Sequence, residues 1–225
     1  MNIVRYMLSR MKTLRGMTVV HVGAHFGQEA TRYQNMMAAK VVWVEASPET
    51  FEVLTSNIDR AKTSKRSLLA GLLSPGRTEH VCINALISDD DQKQMEFHIF
   101  ENDGAANSIF RIDRDNKEFD SIRETGQVLT LPVKTLDRAL ADAGVDPDDV
   151  DVLVLDTQGA ELMCLKGAPR LLSSVRYIET EISTKPVYEG GVLLCELEAW
   201  LSARGFKRKT MVRRSHMNVI FRKAG

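Results

Sequence analysis

Short β-branched runs alternate along this chain with segments whose apolar residues recur every three to four positions. That alternation is the signature of a parallel α/β sheet. Residues 18–22 read as a first strand that ends at Gly23, and residues 27–39 read as a helix. Residues 41–45 make a second strand. Ser47 can cap the next helix, with Pro48 at its first position and Glu49 at its positive end. Phe51, Leu54 and Ile58 continue that helix at helical spacing, and residues 80–84 form a third strand. Residues 150–155 are mostly apolar, as a central strand covered on both faces must be. A helix over 160–166 and a strand over 175–182 follow. Leu193, Leu197, Trp200 and Leu201 then share one helical face that stops at Gly205. Strands at 207–212 and 217–222 can pair as a hairpin around 213–216. A less regular stretch holds an extra strand at 95–100, a polar loop at 101–108 and a helix at 135–143 stopped by Gly144. The expected fold is one α/β domain over residues 1–225. Its doubly wound, mostly parallel, Rossmann-like sheet closes with a C-terminal antiparallel hairpin.

Composition narrows the partners. Thirty basic and thirty acidic side chains cancel, and aromatic residues make up only 6% of the 225. With no recognition module in view, no nucleic-acid partner is expected. Cys82, Cys164 and Cys195 are too scattered for a disulfide framework or a zinc site. They fall in apolar segments and read as core thiols of a cytoplasmic protein. No apolar run reaches the roughly 20 residues of a membrane span. Residues 1–17 mix four cations with apolar residues and lack a signal peptide's uninterrupted apolar core. They are expected to form an amphipathic helical arm on the domain or on a partner subunit, and self-association stays open.

The strand ends carry the chemistry. Gly23-Ala24-His25-Phe26-Gly27 turns from strand to helix, where glycine allows a sharp bend and a close approach of backbone to ligand. The helix start offers N–H groups to a carboxylate. The third glycine of a dinucleotide fingerprint is missing. Glu45 ends the second strand about 20 residues on, where a carboxylate can accept both hydroxyls of a ribose. Asp156 ends the central strand, and Glu181 ends the next one on the same side as Glu179. Glu181 is favoured of the two as nearer the ligand edge. His25 lies in the turn itself and can contact a ligand or act as a base. His21 reads as a satisfied core histidine.

These pieces, in order, resemble the FkbM-type methyltransferases. The stretch around Gly23-Ala24-His25-Phe26-Gly27 is similar to the family's donor turn, and Val44-Glu45-Ala46-Ser47-Pro48 to its second-strand acid and proline. Asn84-Ala85-Leu86-Ile87-Ser88-Asp89 resembles the third-strand motif, and residues 102–110 the polar Asn/Ser loop. Thr135-Leu136-Asp137, the run Asp156-Thr157-Gln158-Gly159-Ala160-Glu161, and Glu179-Thr180-Glu181 with Tyr188-Glu189-Gly190 complete the set. The likeness runs from about residue 19 to residue 206. Two positions depart from it: many members carry Asn at the place of His25 and an acid at that of His21.

The resemblance implies a class I methyltransferase fold and methyl transfer from S-adenosylmethionine, typically to a hydroxyl oxygen of a sugar or natural product. In that fold Gly23, Ala24, His25, Gly27, Glu45, Asn84, Ala85 and Asp156 would hold the donor, with the Asn84 amide toward adenine. The protein's part is to align acceptor oxygen and methyl group and to remove a proton. Asp156, Glu181 and His25 are the candidates for that catalytic task. A divalent cation between Asp156 and Glu181 is an alternative that is not favoured, and no metal ligand is assigned. N-methyl transfer, or a donor-binding protein that has lost catalysis, are the other readings. The loop at 101–108 is expected to cover an acceptor pocket. Lys207, Arg208, Lys209, Arg213 and Arg214 are expected to be a solvated strand face.

Overall fold

A computed structural model of the chain describes residues 2–10, 12–63, 78–119 and 121–224. Its centre is a seven-stranded sheet in the order β3-β2-β1-β7-β8-β10-β9. The strands are β1 (Thr18–Val22), β2 (Lys40–Glu45), β3 (Glu79–Asn84), β7 (Val152–Leu155), β8 (Tyr177–Ser183), β9 (Phe206–Arg208) and β10 (His216–Lys223). The pairs β1–β2, β2–β3, β1–β7 and β7–β8 are parallel. β10 runs antiparallel between β8 and β9, as the expected closing hairpin.

The apolar runs lie in the sheet because both its faces are covered. Val20, Val22, Val42, Val44, Leu153, Leu155 and Ile178 pack toward the helices Leu136–Asp142, Glu161–Lys166, Pro169–Ser174 and Leu194–Ser202. Val19, Val41, Trp43, Val152, Val154 and Tyr177 pack toward the helices Ile3–Leu8, Ala30–Asn35 and Pro48–Thr63. The chain winds outward in one direction from β1 and in the other from β7. The carboxyl ends of those neighbours therefore open a crevice at the switch point, where such sheets bind ligands.

Several elements differ from expectation. The helix after the first strand begins at Ala30, because Gly23, His25 and Gly27 all have positive φ and hold residues 23–29 in a turn. The N-terminal arm is helical only over Ile3–Leu8, capped by the Asn2 side chain, and Ile3, Tyr6 and Met7 are buried against the domain. Met11, part of that expected arm, lies outside the described residues. A second sheet, β4-β6-β5, joins β4 (Leu86–Ile87), β5 (Gln94–Phe100) and β6 (Glu124–Lys134). Only β5 was expected. β6 contains Gly126 and Pro132 and exposes most of its side chains, and only its second half alternates, with Leu129, Leu131 and Val133 turned to the cluster around Leu86 and Phe97. Of the three expected core thiols, Cys164 is buried, Cys82 is half-buried and Cys195 is exposed. No helix of the described residues is long and apolar enough to cross a membrane.

Candidate active site

A cavity of about 380 Å³ opens at the ends of β1, β2 and β7, within the size range of small-ligand sites. Gly23, Ala24, His25, Glu45, Ala85 and Asp156 line it, as the sequence predicts for ligand-binding residues. Gly27, Asn84 and Glu181 do not line it.

The turn after β1 is built against the end of β7. Gly23 has φ +75°, and a Cβ there would come within 1.8 Å of the Asp156 carbonyl oxygen. Only glycine allows the two strand ends this approach. Gly27 packs under the helix Pro48–Thr63, where a Cβ would lie 2.7 Å from Leu54 Cδ1. The N–H groups of Gly23 and Ala24 both donate to Val44 O. The His25 N–H donates to Glu45 Oε2 at 2.9 Å, and the Ser47 N–H to Glu45 Oε1 at 3.0 Å. Glu45 is thus fixed by two backbone donors, with a further lone pair free on each oxygen. Burial raises its pKa, against those donors and the nearby His25.

His25 has φ +49° and both ring nitrogens engaged. Gln28 Nε2 donates to Nδ1 at 2.8 Å, which leaves the proton on Nε2 to donate to Asp103 O at 2.8 Å. His25 therefore ties the loop at 101–108 to the turn. Gly104, Ala105 and Asn107 of that loop line the cavity, and Ser108 Oγ donates to Gln158 O at 2.7 Å. The Asn84 amide is a staple between strands: it donates to Glu45 O at 2.8 Å and Ala46 O at 3.1 Å. Ala46, Leu86, Phe97 and Ile109 form an apolar wall beside it.

Asp156 belongs to an acidic cluster. Gln158 has φ +54°, and its amide donates to Asp156 Oδ1 at 2.6 Å and Glu181 Oε2 at 2.8 Å. Tyr188 Oη donates to the other end of the same amide. Glu181 Oε1 lies 2.8 Å from His216 Nε2. Burial, then Glu181 and Glu161, push the Asp156 carboxyl well above the usual range. Glu161 accepts the N–H groups of Thr157 and Gly159, and so caps the turn that presents Asp156. Its own pKa is pushed up to about 7, chiefly by burial.

Four further residues stand at the cavity: Gln158 and Arg32, to which the sequence assigns no role, Glu179, which it ranks behind Glu181, and His21, which it reads as a core histidine. Gln158 lies inside the Asp156–Glu161 run, but nothing in that run shows that its amide bridges two acids. Glu179 is buried in the cavity wall, held by the Ile3 N–H at 2.6 Å and Asn218 Nδ2 at 2.8 Å. Burial raises its pKa to about 6. Arg32, on the helix Ala30–Asn35, also lines the cavity, with its guanidinium 3.6 Å from Glu29, a residue of the same wall. His21 lines the cavity as well as packing in the core, with Nδ1 3.2 Å from Tyr33 Oη. Burial lowers its pKa to about 4. Among the described residues, no three His, Cys, Asp or Glu side chains converge to hold a metal ion.

Known proteins share this organisation. A family model described as the methyltransferase FkbM domain matches residues 21–208. The curated 2-O-methyltransferase NoeI of Sinorhizobium fredii (strain NBRC 101917 / NGR234) is 29% identical over 107 residues, which cover 45% of this chain and 43% of that protein. A crystal structure of methyltransferase FkbM from Methylobacillus flagellatus KT has a TM-score of 0.53 at 14% identity, over 92% of this chain and 43% of that one. The putative methylase HI0767 from Haemophilus influenzae has a TM-score of 0.51 at 10% identity, over 100% and 90%. The matches thus span less than half the length of NoeI and of the Methylobacillus protein. The two structural likenesses establish the class I methyltransferase fold. Because the family model takes in most of the sequence, from β1 to β9, the chain belongs to the FkbM methyltransferase domain family.

Proposed function

We propose that this chain transfers a methyl group from S-adenosylmethionine to a hydroxyl oxygen of a sugar, glycan or small natural product. The observation that carries the proposal is one cavity holding a pre-positioned Glu45 carboxylate and the acid end of β7 together. The free lone pairs of Glu45 suit the two hydroxyls of a ribose. The wall of Ala46, Leu86, Phe97 and Ile109 suits a flat base. Arg32 can take a carboxylate as a charge-assisted pair, a task that the N–H groups of Gly23 and Ala24, already bonded to Val44, cannot share. The residues present therefore fit this donor. Hydroxyl acceptors are favoured by the likeness to NoeI, which is named a 2-O-methyltransferase.

S-adenosylmethionine supplies a methyl carbon activated by its sulfonium. The chain's residues do the rest. Glu45 and the turn at 23–25 fix the donor's orientation. The loop at 101–108, tied down by His25 and Ser108, limits water at the reacting oxygen. Asp156 takes the proton from the acceptor hydroxyl, with Gln158 and Glu181 behind it. Alignment of the reacting atoms supplies the larger part of the acceleration, worth several kcal/mol.

Calorimetric titration with S-adenosylhomocysteine tests the donor site. Micromolar binding is expected, weakened at least ~tenfold in Glu45→Ala through the loss of charged hydrogen bonds. A folded wild-type protein that does not bind would sink the proposal.

A further inference from the structure

A single amide joins two carboxyl groups at the wall of the cavity. The Gln158 Nε2 group reaches Asp156 at 2.6 Å and Glu181 at 2.8 Å, and the two carboxyl groups lie within hydrogen-bonding reach of each other. Like charges this close do not both ionise; the pair keeps one proton between them. The remaining contacts say where it sits. Ser183 Oγ lies 2.9 Å from His216 Nδ1, and with the serine donating, His216 Nε2–H faces Glu181 Oε1 at 2.8 Å. Both oxygens of Glu181 then accept hydrogen bonds, and the shared proton belongs on Asp156.

Asp156 is also the member of the pair that meets the cavity, and its backbone abuts the turn at Gly23. A cation bound in this cavity, which Glu45 and that turn also line, would come near it. We propose that Asp156 and Glu181 jointly hold one proton that the donor's sulfonium charge displaces, so that the site tells the charged donor from its neutral product. The inference rests on the donor assignment above. The proton leaves to solvent past His216, whose side chain is 23% exposed. Asp156 becomes a carboxylate only when donor is present, which arms it as a base for the acceptor hydroxyl. Once sulfur has lost its charge, the pair regains a proton and no longer favours the ligand that remains.

Other ionising groups surround the pair. Glu161 lies beneath it and Tyr188 beyond Gln158; Glu179 shares its strand with Glu181, and Tyr33 packs from the neighbouring helix. Of these, Glu161 and Glu179 both titrate in the tested range; Glu179, which also lines the cavity, is the main control, and Glu161→Gln is the second.

The test compares the affinities for S-adenosylmethionine and S-adenosylhomocysteine by calorimetry between about pH 5 and 7. Neither ligand's amino or carboxyl group changes charge there. In the wild type the preference for the charged ligand should rise with pH, at most ~tenfold per pH unit for one linked proton. Buffers of differing ionisation enthalpy should report proton release with S-adenosylmethionine and less with S-adenosylhomocysteine. Asp156→Asn and Glu181→Gln should each bind S-adenosylhomocysteine with a pH-independent preference, and two variants guard against one failing to fold. Glu179→Gln and Glu161→Gln should each keep the wild-type slope. A flat preference in a wild type that binds both ligands overturns the proposal and leaves the donor site standing. So does a slope lost in Glu179→Gln but kept in Asp156→Asn. Failure of the folded wild type to bind either ligand overturns the donor assignment, and this inference with it.

Discussion

At Gly23 a side chain has nowhere to go. Its φ of +75° and the Asp156 carbonyl, 1.8 Å from where a Cβ would stand, close the site to any other residue. Gly23→Ala is expected to destabilise the fold by at least ~2 kcal/mol, a fall in Tm of about 4–8 °C for a chain of this size. An unchanged Tm would mean that β1 and β7 do not meet as described. Glu161 gives a prediction in pH. A carboxyl whose pKa is raised by folding keeps its proton where the unfolded chain has lost it. Its contribution to stability is therefore present at low pH and declines as pH rises from the unfolded to the folded value. For Glu161 that window runs from 4.5 to about 7, and for Glu179 from 4.5 to about 6. His21 opposes them: its depressed pKa makes stability rise with pH between about 4 and 6.5. Glu161→Gln keeps an oxygen for the Thr157 and Gly159 N–H groups but cannot ionise. Thermal melts should show a flatter decline toward pH 7 in the variant, and an equal slope in both proteins would absolve Glu161.

The loop at 101–108 is the element whose removal should speak most directly about the acceptor. It reaches the donor turn through Asp103 O and the Asp156 turn through Ser108 Oγ, and it lines the cavity between them. Shortening it is expected to raise the acceptor KM several-fold while the affinity for S-adenosylhomocysteine changes less. Equal losses in both would assign the loop to the donor instead. Legibility differed among elements for physical reasons. β1, β2 and β7 were readable because strands buried on both faces are mostly apolar, and β8 was readable from Tyr177, Ile178 and Ile182 although it carries Glu179 and Glu181. β6 was missed although Leu129, Leu131 and Val133 alternate, because its exposed first half and the proline at 132 interrupt the pattern. The turn at 23–27 was legible, but its continuation to residue 29 was not: the spacing starts the helix at Gly27, and the positive φ of His25 and Gly27 delays it to Ala30. The site divided the same way. Glu45 and Asp156 were found because strand ends are where such folds bind ligands. Gln158 and Glu179 gain their roles from Tyr188, Asn218 and Ile3, which the sequence holds far away.

At the scale of the whole molecule, two apolar layers clamp one sheet, and charge gathers where the sheet ends. Four carboxyl groups, Asp156, Glu161, Glu179 and Glu45, have pKa values raised above the usual range, each with burial as the chief cause. Their crowding at a single edge of an otherwise apolar sheet marks the working end. A chain that carries no net formal charge thus concentrates its unusual charges in one place. Of the basic residues in and after β9, Arg208 is already paired with Glu198 at 2.9 Å. Acceptor KM is accordingly expected to vary little with salt, as measured between low and moderate ionic strength; a steep rise would assign Arg213 and Arg214 to acceptor capture.

The first turn of the chain completes the cavity wall, with Asn2, Ile3 and Val4 lining it and the Ile3 N–H bound to Glu179. An affinity tag fused ahead of Asn2 would be joined directly to a residue of the cavity wall, and is expected to weaken the binding it was meant to help study. A tag after residue 224 is better placed. β10 lines the pocket at Asn218 and carries the chain to the opposite end of the strands, where the Ala224 N–H donates to Gly205 O. The choice of expression vector therefore decides whether a negative binding result says anything about the protein.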